Sequence, residues 1–184
     1  SIDTFRLSGY ENGHNNPVGE VGCELLKAFR ENNSCNLTDL RIWCCDISSI
    51  DERVIINTTL SRCTNLKTIE LEESDVTDEQ LVPIVEAIRN HPMCENFSLH
   101  DNSIRNAGCG TIATLLEAPN CNLQTLWLSA NNISDAGANA MANSLLRNNR
   151  LQKLYLDGNL FDVQNVELSR SEIDGYDFVV EASN

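Results

Sequence analysis

The sequence predicts an α/β solenoid, a horseshoe segment of about six repeats with a parallel sheet on its concave face and helices on its convex face. Three observations predict it. The first is a recurring frame: Leu123-x-x-Leu126-x-Leu128-x-x-Asn131-x-Ile133 is followed by Leu151-x-x-Leu154-x-Leu156-x-x-Asn159-x-Phe161. The second is the period. Copies of the frame start at residues 2, 37, 66, 94, 123 and 151, so the steps are 35, 29, 28, 29 and 28, which suits a repeat architecture. The third is what lies between the copies: apolar residues at helical spacing, as in Leu81, Ile84, Val85 and Ile88.

Each copy then reads as strand, turn and helix. The first opens at Ile2-x-x-Phe5-x-Leu7 and continues into a helical face of Val21, Leu25, Leu26 and Phe29. The second is Leu37-x-x-Leu40-x-Ile42-x-x-Cys45-x-Ile47, the third Leu66-x-x-Ile69-x-Leu71-x-x-Ser74-x-Val76, the fourth Cys94-x-x-Phe97-x-Leu99-x-x-Asn102-x-Ile104. The fifth is followed by Ala136, Ala140, Met141, Leu145 and Leu146 on one helical face. No unit can bury its apolar face alone, so stacking must make one continuous core. Asn102, Asn131 and Asn159 stand where the chain leaves the strand, and their carboxamides suit otherwise unpaired backbone groups there. Cys45 and Ser74 take that place in their own copies.

Two stretches depart from the period. The first step is long, and Asn16-Pro-Val18-Gly-Glu-Val-Gly22 matches Asn131-Asn-Ile133-Ser-Asp-Ala-Gly137, so the extra residues fall between Leu7 and Asn16. The loop at 8–15, with Tyr10 and His14, should bulge at the concave rim, where solenoids acquire specificity. After Phe161 the frame stops. Residues 1–161 form the solenoid, and 162–184 form a C-terminal cap or an acidic tail. A seventh strand falls due near 179, at Phe178-Val-Val180.

The 28/29 alternation, the Asn/Cys turn position and the Asn-Asn-Ile-Ser-Asp-Ala-Gly run at 131–137 resemble the ribonuclease-inhibitor-like leucine-rich repeats. That subfamily includes ribonuclease inhibitor, the recognition domains of NOD-like receptors and the Ran GTPase-activating protein. The resemblance covers residues 2–161. It implies the horseshoe fold and a partner-binding surface, with function set by the site rather than the fold. Asn102-x-Ile104-x-x-x-Gly108 carries the same signature, whereas Asp51 and Gln80 replace its glycine in the second and third copies.

The net charge of −14 repels nucleic acid and anionic membranes and attracts basic partners; simple solubility is the alternative. No membrane span or signal peptide is visible, and a cytoplasmic protein is expected. Lack of an N-terminal cap would leave an apolar edge, as in a trimmed fragment or a segment covered within a larger assembly. Cys35, Cys63, Cys94 and Cys121 recur near the strand entries, and adjacent Cys44 and Cys45 should point to opposite sides. All eight cysteines read as reduced, structural thiols; disulfides are the alternative. Five N-x-S/T sequons arise partly from the repeat itself. The chain has no C-x-x-C pair, phosphate-binding glycine loop or nucleophile beside a histidine, so neither metal, cofactor nor enzyme is expected.

A protein partner is expected on the concave face. The third, fifth, seventh and eighth positions of the frame point there. The fifth runs Arg6, Arg41, Glu70, Ser98, Trp127 and Tyr155; the seventh runs Ser8, Trp43, Glu72, His100, Ser129 and Asp157; the eighth adds Cys44, Glu73 and Asp101. Trp127 and Tyr155 on neighbouring strands are candidate anchors, or else stack on each other for local packing. Glu70, Glu72 and Glu73 with Asp101 form an acidic patch for a partner's Lys or Arg, or else a solvated face. The alternatives to a passive binding module are a regulator that speeds hydrolysis by a small GTPase, as the Ran activator resemblance implies, and a structural segment of a larger assembly.

Overall fold

The computed structural model describes residues 3–9, 16–17, 36–47, 58–89, 91–162 and 177–179. Strands β1 (Thr4–Ser8), β3 (Asp39–Trp43), β5 (Thr68–Glu72), β6 (Asn96–Ser98), β7 (Thr125–Trp127), β8 (Lys153–Tyr155) and β9 (Asp177–Val179) form one seven-stranded sheet in that order. Every pairing in it is parallel. Successive neighbours in sequence are therefore neighbours in space, which is the solenoid the period requires. β9 occupies the place where the period sets a seventh strand.

Helices α1 (Asp78–Arg89), α2 (Asn106–Leu116) and α3 (Asp135–Leu145) follow the third, fourth and fifth strands of the repeat, and a helical turn at 58–62 precedes β5. Their apolar stripes pack against the Leu and Ile residues on one side of the sheet. A single core runs from Phe5 to Leu156, with Phe97, Ile104, Leu126 and Met141 fully buried and Phe161 packed at its end. The helical face expected at Val21, Leu25, Leu26 and Phe29 lies outside the described residues.

The expected asparagine ladder is present. Asn102 accepts from the backbone N–H of Ser74 and Val76 and donates to the carbonyls of Leu71 and His100. Asn131 accepts from Ile104 and donates to Leu99, Leu128 and Ser129; Asn159 accepts from Ile133 and donates to Leu128 and Leu156. Each carboxamide thus joins its own turn to the preceding repeat. Ser74 and Cys45, being shorter, each donate to a local carbonyl, that of Glu72 and of Trp43.

A second ladder runs along the helix starts and was not anticipated. Asp78 accepts from Arg105 N–H, Asn106 from Ser134 and Gly137 N–H, and Asp135 from Asp162 N–H. This ladder explains the signature glycine. A Cβ on Gly137 would lie 2.6 Å from Asn106 Oδ1 and 2.9 Å from Ile133 Cγ2, and one on Gly108 2.5 Å from Asp78 Oδ1. In the third copy Gln80 stands instead. Its Oε1 accepts the N–H of Thr77 at 2.7 Å, which is half of a capping box at the start of α1. Asp51 lies outside the described residues.

The turn of the first copy lies where the sequence places it. The short strand β2 (Asn16–Pro17) pairs with β4 (Cys45–Asp46), Asn16 opposite Cys45, so Asn16 holds the turn position of the first copy. Residues 10–15 of the loop lie outside the described residues.

One cysteine departs from expectation. Cys63 is disulfide-bonded, so the eight thiols are not all reduced. Cys44, Cys45, Cys94, Cys109 and Cys121 are free and buried. Burial pushes the Cys94 and Cys109 thiols up to about 12 and raises Cys121 as well. Such thiols behave as small hydrophobes, not nucleophiles. Cys44 and Cys45 make separate hydrogen bonds, to Glu73 Oε2 and Trp43 O.

Candidate functional site

Strand alternation sends Leu40, Ile69, Phe97, Leu126 and Leu154 into the core, so the residues between them face away from the helices. The register aligns the fifth frame position across the face: Arg6 with Arg41, Glu70, Ser98, Trp127 and Tyr155 in turn. Ser8, Trp43 and Glu72 are aligned likewise.

The turns after β3, β5, β6, β7 and β8 share a left-handed residue. Cys44, Glu73, Asp101, Ala130 and Gly158 all have positive φ, between 49° and 69°. A left-handed residue is needed there so that its N–H can reach the next repeat: Cys44 donates to Glu72 O, Glu73 to His100 O, Asp101 to Ser129 O and Ala130 to Asp157 O. Four of the five are not glycine, at about 1 kcal/mol each. The rim carrying Glu73 and Asp101 is therefore held in one conformation by cross-repeat bonds.

Glu70, Glu72 and Glu73 of the acidic patch each take a hydrogen bond from within the chain. Glu70 Oε1 accepts from Arg41 Nη1 at 2.5 Å, and Arg41 Nη2 reaches Asp39 Oδ1 at 3.2 Å. Glu72 accepts from Ser98 Oγ at 2.5 Å, and Glu73 takes the Cys44 thiol. The two partners of Arg41 titrate differently. Burial alone would raise Asp39, but hydrogen bonds from Thr38 and Arg41 and the guanidinium charge hold it below its usual value. At Glu70 burial wins: its carboxyl is raised despite Arg41, helped by the nearby Glu72. The Trp43 indole N–H lies near enough to Glu70 to favour its charge, yet completes no hydrogen bond. Arg41 Nε is likewise buried without a partner.

Two strands on from Glu70 along the same face the character changes. The Trp127 and Tyr155 rings stack with centroids 5.4 Å apart and planes within 2°. Both are half-buried. The rings pack on each other, and both residues still present surface to solvent. Ser129 Oγ donates to Asp157 Oδ1 at 2.5 Å, fixing that carboxylate above Tyr155. His100 is half-buried and Asp101 exposed at the rim. Tyr10 and His14 lie outside the described residues.

Sequence reading also missed a polar cleft of about 380 Å³ at the strand-entry edge, lined by Met93, Glu95, Gln124, Arg150 and Gln152. It forms between loops of three successive repeats, which no single copy reveals. Among the described residues no cluster of three or more His, Cys, Asp or Glu could hold a metal ion. No helix among them is long and apolar enough to cross a membrane.

The parallel sheet, one helix layer and asparagine ladder define a repeat solenoid built to present a face. No protein-family model matches the chain. It is similar to RAN GTPase-activating protein 2 of Arabidopsis thaliana, 26% identical over 113 residues, covering 61% of this chain and 21% of that protein. It is also similar to ribonuclease inhibitor of Mus musculus, 23% identical over 174 residues, covering 79% and 38%. Among solved structures it matches leiomodin-1 actin-binding site 2 with a TM-score of 0.54 and 25% identity, over 64% of this chain and 68% of that one. The chain is a leucine-rich repeat protein of the ribonuclease-inhibitor-like kind. It spans well under half the length of these two curated relatives.

Proposed function

We propose that this chain is a non-catalytic module that holds a protein partner on the concave face of its sheet, in the cytoplasm. The carrying observation is the stacked Trp127–Tyr155 pair, half-exposed on the face turned away from the described helices. Large, preordered aromatics are the side chains that most often dominate binding energy. Around them lie Arg41, Trp43, Glu70 and Glu72 on the strands and Glu73, His100, Asp101 and Asp157 toward the rim. With a net charge of −14, this surface favours a basic partner. Tyr10 and His14 belong to the same reading as rim contacts.

Affinity capture with wild type beside a Trp127→Ala/Tyr155→Ala variant tests this. A partner lost only with the variant supports the reading; one retained by both moves the interface off the concave face. Similarity to RAN GTPase-activating protein 2 favours a second reading, a regulator of a small GTPase. Faster nucleotide hydrolysis by an added Ran-type GTPase would select it over passive binding.

A further inference from the structure

The polar cleft of about 380 Å³ at the strand-entry edge plays no part in the concave-face reading. Glu95, Gln124 and Gln152 line it, and they hold the second frame position in the fourth, fifth and sixth copies. Backbone bonds fix their order: Gln124 N–H donates to Glu95 O at 2.8 Å, and Gln152 N–H to Gln124 O at 2.7 Å. Their backbones therefore form a row, one strand spacing apart and about 10 Å from first to last. The loops around the row are braced. Asn122 Nδ2 donates to Pro92 O at 2.6 Å, and Asn148 Oδ1 accepts the N–H groups of Arg150 and Leu151 at 2.8 Å each. The polar groups inside are unpaired. Ion pairs among the described residues are those of Arg41, Arg89 and Arg147, so the Glu95 carboxylate and the Arg150 guanidinium have no charged partner there. The Gln124 and Gln152 carboxamides likewise make no hydrogen bond among those residues. Glu95 stands at one end of the row, and Arg150 lines the cleft from the copy at the other.

We propose that this cleft takes a short extended segment of a partner protein, with a basic side chain at Glu95 and an acidic one at Arg150. An extended chain advances about 3.3 Å per residue, so about three residues span the row and the two charges belong about three positions apart. Between them the Gln124 and Gln152 carboxamides each offer donors and an acceptor, the groups that a peptide bond pairs with. Met93, 43% exposed, adds an apolar surface on the Glu95 side. A free small molecule suits the cleft less well. Such ligands are mostly enclosed by largely apolar walls, whereas here Met93, Arg150 and Gln152 are exposed and the lining is polar. Location also favours a protein. Asn96, Thr125 and Lys153 follow the three row residues directly and are in register at the start of the sheet face, so the cleft borders the face that the concave-face reading assigns to a partner.

The probe is the end-capped peptide Gly-Lys-Gly-Gly-Asp-Gly, titrated at low ionic strength and followed by NMR. It should move the backbone amide signals of Glu95, Gln124 and Gln152 together. Replacing its lysine by glutamine, or its aspartate by asparagine, should each weaken binding about threefold to fivefold, the range of one exposed ion pair. Glu95→Gln should remove the preference for lysine and keep that for aspartate; Arg150→Gln should do the reverse. Both side chains lie at the surface without partners among the described residues, so neither change threatens the fold. Amide signals that stay still, or either preference unchanged in its matching variant, would overturn the proposal. So would saturation of the same signals by free glutamine at equal concentration, which makes the cleft a small-molecule site. The folded Trp127→Ala/Tyr155→Ala variant should bind the peptide as wild type does. Loss of the peptide there would place it on the aromatic pair and sink the cleft, whereas binding retained there holds whether or not the concave-face reading survives its own test.

Discussion

The asparagine ladder and the open sheet face are both rows of polar or aromatic side chains repeated once per unit, yet they differ in what they touch. In the ladder each carboxamide is consumed by the backbone of its own and the preceding repeat. Its members are nearly identical because the groups they satisfy are identical in every copy. On the face the residue type changes along the row, from Arg6 and Arg41 through Glu70 and Ser98 to Trp127 and Tyr155, and the row divides. Its N-terminal half, Asp39, Arg41 and Glu70, is ion-paired within the chain. Its C-terminal half, Trp127 and Tyr155, stacks but leaves ring surface open. Identity that recurs marks structure; identity that varies along the same row marks positions that the repeat backbone does not dictate.

The strongest test of this contrast is on the ladder. Asn131→Ala removes hydrogen bonds to Ile104, Leu99, Leu128 and Ser129 and strands buried backbone groups. It should lower stability by about 2–4 kcal/mol in urea titration, with partner affinity unchanged once corrected for the folded fraction. The face variant Trp127→Ala/Tyr155→Ala should do the reverse. Partner affinity should fall by about 2 kcal/mol or more, while the lost stacking costs about 1 kcal/mol of stability. Equal effects of both variants on affinity would erase the distinction.

Arg41→Ala sharpens it, because this residue lies on the face but is engaged like the ladder. Glu70 would lose its cation while remaining half-buried, at about 1–2 kcal/mol of stability. The sign is fixed by charge. A Glu70 raised still further is tolerated when protonated, so the deficit should shrink as pH falls toward the carboxylate range. A deficit that grows in acid would refute this account.

His91 gives a smaller effect between two repeats. It is buried, its ring meets the Leu60 carbonyl, and Nδ1 has no partner among the described residues. Burial lowers its pKa below the usual 6.5. The neutral ring is the folded form, so its contribution is full above pH 6.5 and is lost as pH falls below that value. Asn148, at the same place in the sixth copy, donates to Leu116 O and accepts two N–H groups. His91→Asn should therefore reduce the loss of stability expected as pH falls below 6.5, read by thermal melts of variant and wild type. The smallest expected change is Gly110→Ala. A Cβ there meets nothing within 4 Å, and α2 should gain about 0.5–1 kcal/mol.

By itself the sequence determined the architecture. The 28/29 period, the Leu frame and the turn asparagines are local, repeated signals, and each copy independently forces the same strand and the same buried row. It determined the register of the face too, since Arg41, Glu70, Ser98, Trp127 and Tyr155 follow from the frame alone. Only the tertiary structure decided which of these residues are available. Arg41 reaches Glu70 across 29 residues and Ser98 reaches Glu72 across 26, and pairing between copies depends on side-chain length and direction that no single frame encodes. The same holds for the signature glycine. Its neighbour is the helix start of the preceding repeat, a contact that exists only once the units are stacked.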